Sequence, residues 1–180
     1  MNKRVCIYCS SSNTLDKKYR EAAADFAVAA SLHSYTVICG GSIRGLMGVV
    51  IDTMLENNGS VEGVIPYFMQ DIEIHHPNLK NLTLVDTMSK RKELLREGCD
   101  AVVALPGGVG TLDELLEVFT LKKLDMYSGK IMLLNIYGFY DSLIALFDHL
   151  VEENCLCPNY RQSLHIFDNT DDLITAINSI

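Results

Sequence analysis

Asp100-Ala-Val-Val-Ala-Leu-Pro-Gly-Gly-Val-Gly-Thr-Leu-Asp-Glu114 is the stretch on which the reading of this chain turns. Ala101 to Leu105 form an unbroken apolar run, the pattern of a strand buried on both faces. Pro106 ends it, having no N–H to offer a ladder. Gly107, Gly108 and Gly110 then permit tight turns and let main-chain N–H groups approach a ligand with no Cβ in the way. Thr111 opens a helix whose apolar positions Leu112, Leu115, Leu116, Phe119 and Leu124 recur at helical spacing. A helix N-terminus presented by such a turn favours a phosphate or carboxylate ligand, through its unpaired N–H groups and the positive end of its dipole.

The carboxylates beside this turn admit two readings. Thr111-Leu-Asp-Glu114 is a capping box, in which Glu114 merely returns a hydrogen bond to the cap. Yet Asp113 and Glu114 also stand within a helical turn of any bound phosphate, where like charges repel. A site built only to hold phosphate has no use for them, so a carboxylate there suggests chemistry next to the phosphate. A second conflict lies upstream, at Met88-Ser-Lys-Arg-Lys-Glu-Leu-Leu-Arg96. Lys90, Arg91 and Lys92 crowd the first turn of a helix, the end where cations are disfavoured. Either this is a solvated face, or the cations offset a ligand's phosphate and the nearby carboxylates, a broken local rule of the kind found at functional sites.

Working outward, strands are expected at 5–9, 36–39, 61–65, 82–85, 101–105, 131–134 and 165–167, and helices at 16–32, 46–57, 89–97, 112–125, 140–153 and 171–178. This alternation implies an α/β fold, a doubly wound, Rossmann-like parallel sheet in three layers, α/β/α, with the whole chain 1–180 as one nucleotide-binding domain. Ligands of such sheets bind outside the carboxyl ends of the strands, where strand order reverses. Four unusual segments follow strands: Ser10-Ser-Ser-Asn13, Gly40-Gly-Ser-Ile-Arg-Gly-Leu-Met-Gly48, Ser89-Lys-Arg-Lys92 and Pro106-Gly-Gly-Val-Gly-Thr111. Ser11 and Gly41, on the first two, join the candidate ligand contacts. The connection 67–80 is the one long irregular segment, and such segments often lie over sites.

The 180 residues suffice for one full core, and 48% apolar with 21% charged residues is the composition of a globular protein. A net charge of -8 argues against a nucleic-acid partner, whose phosphates demand a broad basic surface. A small anionic ligand in one locally basic pocket remains compatible with it. No apolar run is long enough for a membrane span, and Met1-Asn-Lys-Arg4 leads straight into a strand, so the expected location is the cytoplasm. The six cysteines read as buried free thiols in core elements, with Cys155 and Cys157 more exposed. Cys6 and Cys9 lie on opposite faces at strand period, and the histidines are scattered, His75 and His76 sharing a polar loop, so no metal is expected.

Pro106-Gly-Gly-Val-Gly-Thr-Leu-Asp-Glu114 fits the pattern P-G-G-x-G-T-x-x-E, and Arg91-Lys92 occupies the place of its upstream R-K pair. With these motifs the chain resembles the LONELY GUY (LOG) family of cytokinin riboside 5'-monophosphate phosphoribohydrolases, nearly end to end. The resemblance implies hydrolysis of the N-glycosidic bond of an adenosine 5'-monophosphate, often N6-modified, with no cofactor and with a homodimer as the assembly. It implies Arg91 and Glu114 as the catalytic pair. It also implies Glu73, Lys92, Gly107, Gly108, Val109, Gly110, Thr111, Leu112, Asp113 and Thr120 as nucleotide contacts. Three positions depart from the common pattern: Ser10, Ser42 and Ser89 stand where glycine, glycine and histidine are frequent. The rival reading is a module of the same architecture that carries a nucleotide or nucleotide-like cofactor without turning it over. An older family label, lysine decarboxylase, would require pyridoxal phosphate on a lysine in a much larger fold.

Overall fold

The computed structural model describes residues 2–69 and 75–180. Within them β1 (Arg4–Tyr8), β2 (Thr36–Cys39), β3 (Ser60–Pro66), β4 (Asn81–Val85), β5 (Ala101–Ala104), β6 (Lys130–Leu134) and β7 (Leu164–Phe167) pair in parallel as one sheet, in the order β4-β3-β2-β1-β5-β6-β7. The chain steps outward from β1 to β4, returns to lay β5 beside β1, and continues to β7. Val5 pairs with Ala101 and Tyr8 with Ala104, so the strand order reverses where the first strand meets the strand that precedes the glycine turn. The crevice at their carboxyl ends is the ligand position of a doubly wound sheet.

The helices are α1 (Lys17–Leu32), α2 (Gly45–Glu56), α3 (Met88–Arg96), α4 (Val109–Lys123), α5 (Asp141–Glu152), α6 (Pro158–Arg161) and α7 (Thr170–Asn178). Because parallel crossovers are right-handed, the change of direction after β4 moves the helices from one face of the sheet to the other. Val5, Ile7 and Cys9 accordingly pack with Phe26 and Ala27 of α1, Leu46 and Val50 of α2 and Leu173 of α7. Cys6 and Tyr8 point the opposite way, to Leu95 of α3, Leu115 and Phe119 of α4 and Phe147 of α5. The three expected layers follow from this alternation, since successive strand side chains face opposite sides. The single turn α6 was not anticipated; Pro158 at its start has the backbone angle a helix needs and lacks only an N–H that the first turn leaves unused.

The thiols divide as their positions suggest. Cys6, Cys9, Cys39 and Cys99 are buried, and Cys155 and Cys157 are exposed. Burial pushes the Cys39 thiol up to about 11, holding it protonated at neutral pH. One core contact bears directly on the crevice: the buried Tyr140 hydroxyl donates to Leu105 O at 2.7 Å, anchoring the strand end from which the glycine turn departs.

Candidate functional site

The loops after β1 and β5 are laced together at the crevice. Leu105 N donates to Tyr8 O (2.9 Å) and Ser10 N to Pro106 O (3.1 Å). Ser10 Oγ in turn accepts from Ser12 N, so the serine in place of glycine closes its own local turn. Helix α4 begins at Val109, not at Thr111, and its N-cap is Gly108, which has no side chain to cap with. The capping-box register expected for Thr111 and Glu114 is therefore not formed. Thr111 is buried in the first turn, and Glu114 lies in the second. Leu112 N makes the first bond of the helical ladder, to Gly108 O, leaving the N–H groups of Val109, Gly110 and Thr111 outside it.

Two adjoining cavities open here. One, of about 270 Å3, is bounded by Cys9, Ser10, Ser11 and Ser12 on one side and Gly108, Val109, Gly110 and Thr111 on the other. Serine hydroxyls and a helix N-terminus around one space present the donor groups that an anion would need. The second, of about 190 Å3, shares Cys9, Ser11, Gly110 and Thr111 with the first and adds Met47, Met69, Met88, Arg91, Asp113 and Glu114. A larger groove of about 770 Å3, between α1 and the start of α7, contains none of the motif residues.

Arg91 and Glu114 meet at the wall of the second cavity. Arg91 Nη1 donates to Glu114 Oε1 at 3.3 Å, and the two side chains are only 8% and 12% exposed. Arg91 Nε donates to Val64 O at 3.1 Å. Its other amino group lies flat on the backbone of Gly40, where a Cβ would stand 2.1 Å from Nη2, so this glycine exists to admit the guanidinium. A buried ion pair contributes little net stability once desolvation is counted. Its value here is a carboxylate and a guanidinium fixed at a cavity wall.

The remaining cations of α3 pair with carboxylates of α3 and α4. Lys90 pairs with Glu93 on the surface (3.0 Å), the solvated-face reading. Lys92 reaches Asp113 (3.0 Å) and Glu117 (2.5 Å), and Arg96 reaches Glu117 (2.7 Å), a ladder clamping α3 to α4. Its bonds to Glu117, and next to Asp113, raise the Lys92 ammonium above its ordinary range against the opposing effect of burial.

Of the expected contacts, Ser11, Gly108, Val109, Gly110, Thr111, Asp113, Arg91 and Glu114 line one or both cavities. Gly107, Leu112, Lys92, Gly41 and Thr120 do not. Leu112, on α4, packs partly buried against the core, and the Gly41 carbonyl accepts from His76 N. Thr120 is exposed on α4, its hydroxyl donating to Leu116 O at 2.8 Å. Glu73 lies outside the described residues. Ser42 is buried, its hydroxyl accepting from Arg44 N, and Ser89 is exposed on α3. The wall formed by Met47, Met69 and Met88 was not foreseen; the only sequence signal was that Met47 sits inside the second glycine loop and Met88 just ahead of the R-K pair.

Comparison with known proteins accords with this geometry. Residues 47–177 match the family model described as "Possible lysine decarboxylase". The chain is 38% identical over 160 residues to a probable cytokinin riboside 5'-monophosphate phosphoribohydrolase LOGL3 of Oryza sativa subsp. japonica, covering 89% of this chain and 76% of that protein. It is 36% identical over 174 residues to the cytokinin riboside 5'-monophosphate phosphoribohydrolase LOG4 of Arabidopsis thaliana, covering 97% and 81%. Among solved structures, the molybdenum cofactor carrier protein of Chlamydomonas reinhardtii superposes with a TM-score of 0.76 at 15% identity, covering 99% of this chain and 98% of that one. The molybdenum cofactor binding protein of Rippkaea orientalis superposes with a TM-score of 0.75 at 15% identity, covering 99% and 97%. Identities this low establish a shared fold alone. The glycine turn, the R-K pair and the two plant relatives agree, and the chain belongs to the LOG family of cytokinin riboside 5'-monophosphate phosphoribohydrolases, whose family model keeps the decarboxylase description.

Proposed function

We propose that this protein hydrolyses the N-glycosidic bond of adenosine 5'-monophosphate, with or without an N6 substituent, to free base and ribose 5-phosphate. The observation that carries the reading is the buried Arg91–Glu114 pair in a cavity continuous with the serine-lined helix N-terminus. The 5'-phosphate is held by the N–H groups of the first turn of α4, the ribose spans the shared wall at Ser11 and Thr111, and the base enters the methionine-walled cavity. As the bond from C1' to the base nitrogen breaks, its electron pair leaves with the base and positive charge develops on the ribose. Glu114 stabilises that charge and takes a proton from the water whose oxygen bonds to C1'. The departing base takes a proton on a ring nitrogen from solvent water, and the proton gained by Glu114 returns to solvent, so that the net reaction adds one water across the bond. Arg91 holds the carboxylate in register through its hydrogen bond. The thioether wall is soft and adaptable, which suits bases with apolar N6 groups.

Purified protein given AMP, its N6-isopentenyl derivative and adenosine should release base from the monophosphates and leave the nucleoside intact, as read by chromatography of free bases. Equal turnover of adenosine would remove the phosphate anchor. No release from any monophosphate would favour the carrier reading. Decarboxylation on pyridoxal phosphate finds no support in these residues, because no lysine lines either cavity to form an imine there, and the Lys92 ammonium is paired with Asp113 and Glu117.

The proposed assembly is a symmetric dimer through α4 and α5. Of the residues of α5 only Phe147 is buried, while Leu146 on it and Leu116, Leu124 and Met126 on or after α4 are exposed. Such a patch calls for cover, and two-fold association is the commonest closed form. Thr120 is exposed on α4, between Leu116 and Leu124 in the chain. Light scattering at micromolar concentration should give twice the chain mass; a monomer refutes the dimer. The proposed location is the cytoplasm, in keeping with four buried reduced thiols; no described helix is long and apolar enough to cross a membrane.

A further inference from the structure

Histidine 76 belongs to a segment that a sequence reading treats as polar loop, yet it is 2% exposed. Its Nδ1 accepts from the N–H of Asn78, which assigns the proton to Nε2. Nε2 then donates to Asp52 Oδ1 on α2 at 2.8 Å. The backbone of the same residue reaches the glycine loop after β2, His76 N donating to Gly41 O at 2.8 Å, and His75 forms an antiparallel bridge with Ser42. Segment 75–79 is thus strapped to the loop 40–42, and among the described residues its side-chain hydrogen bond to a helix is the one to Asp52.

What lies beneath the strap gives that tie a function. Leu79 is buried against Gly63 and Gly41: a Cβ on Gly63 would stand 2.5 Å from Leu79 Cδ2 and 3.1 Å from Gly41 Cα. Gly40 is the floor on which Arg91 Nη2 lies, and Val64, next to Gly63, supplies the carbonyl that holds Arg91 Nε. Both seats of the guanidinium are therefore backed by the segment that His76 fastens. In a close-packed interior a displacement of the strap passes to what it touches, here Gly41 and Gly63, each next in the chain to one of the seats.

We propose that the Asp52–His76 hydrogen bond is a positioning device for Arg91, holding the strap 75–79 against the backbone at 40–41 and 63–64 so that the guanidinium stays in register with Glu114. The proposal rests on the reading of Arg91 and Glu114 as the catalytic pair, but one arm of its test does not use activity.

Asp52 is a convenient handle, since its side chain is 57% exposed and its loss leaves no cavity. Asp52→Ala should lower kcat on a monophosphate on the order of tenfold, the scale of a small misplacement of a reacting group. Two histidine variants separate the local turn from the tie. His76→Asn keeps an acceptor near the Nδ1 position and loses the reach to Asp52, so it should behave as Asp52→Ala. His76→Gln keeps a donor near the Nε2 position and should restore most of the turnover. In an Arg91→Ala background, Asp52→Ala should have no further effect, as a double-mutant cycle requires when one residue acts through the other. The arm independent of activity is the Arg91 Nε–H resonance, assigned by its loss in Arg91→Lys. It should exchange faster with solvent in Asp52→Ala and His76→Asn and keep parental exchange in His76→Gln. Parental kcat in folded Asp52→Ala overturns the proposal, as does an equal fractional loss in the Arg91→Ala background. If the parent releases no base at all, the reading of the active site fails instead, and unchanged Nε–H exchange in both variants then overturns the positioning claim.

Discussion

Glu114→Gln is expected to fold, to retain nucleotide binding and to lose at least about a hundredfold in turnover, the scale of general acid–base assistance. The variant is informative because Gln keeps the shape of the side chain and an oxygen for Arg91 Nη1 to donate to, while removing the charge. A capping role for Glu114 would have predicted almost no effect, since Gln serves as well in a capping box. With the helix starting at Val109 under a Gly108 cap, that account no longer applies. Arg91 would lose its countercharge in a largely buried setting, so a stability loss of about 1 to 3 kcal/mol accompanies the substitution. Turnover is therefore to be measured well below the melting temperature of the variant. Near-parental activity would exclude Glu114 as the catalytic carboxylate and turn attention to Asp113, at the same cavity wall, and to Glu73.

Gly110→Ala is expected to move stability and binding in opposite directions. A Cβ at Gly110 would meet no atom of the chain within 4 Å, and the residue lies inside α4 with no left-handed angle to maintain. Alanine there is favoured over glycine, so the folded chain should gain about 0.5 kcal/mol and its Tm should rise. The same Cβ would project at the wall that both cavities share. Overfilling a closely matched contact costs about 1 to 3 kcal/mol, which corresponds to a rise in KM of roughly tenfold or more for a monophosphate. Gly108 is equally unconstrained by the chain's own atoms, and its Ala variant should behave likewise in binding. No side chain among the described residues asks for glycine at these two positions; the proposed anion, approaching the N–H groups of α4, would. A Gly110→Ala protein with raised Tm and unchanged KM would show that the ligand does not come close to this turn.

These two residues also mark how far the site is legible in the sequence alone. Glycines at 108 and 110 and a carboxylate at 114 suggest an anion beside an acid, and that much is local. The alternative for Glu114 could not be settled locally, because capping depends on which residue starts the helix, and a shift of the start from Thr111 to Val109 changes the role of every residue that follows. Lys92 shows the converse. Its position in a recognisable motif suggested a ligand contact, and nothing local foretold that the packing of α3 on α4 pairs its ammonium with Asp113 and Glu117.

What the amino-acid sequence determined by itself was the fold: alternation of apolar runs with amphipathic helices forces a parallel sheet covered on both faces, because each strand must bury two sides and each helix one. It also determined the position of the anion turn, since proline and glycine act on the backbone in their immediate vicinity. Tertiary structure decided everything that depends on residues meeting across the sheet order. It brought Arg91 from the helix after β4 to Glu114 on the helix after β5, laid the guanidinium on Gly40 from a third loop, and buried His76 against Asp52. These contacts join positions 23 to 51 residues apart, through crossovers between strands that no local period encodes.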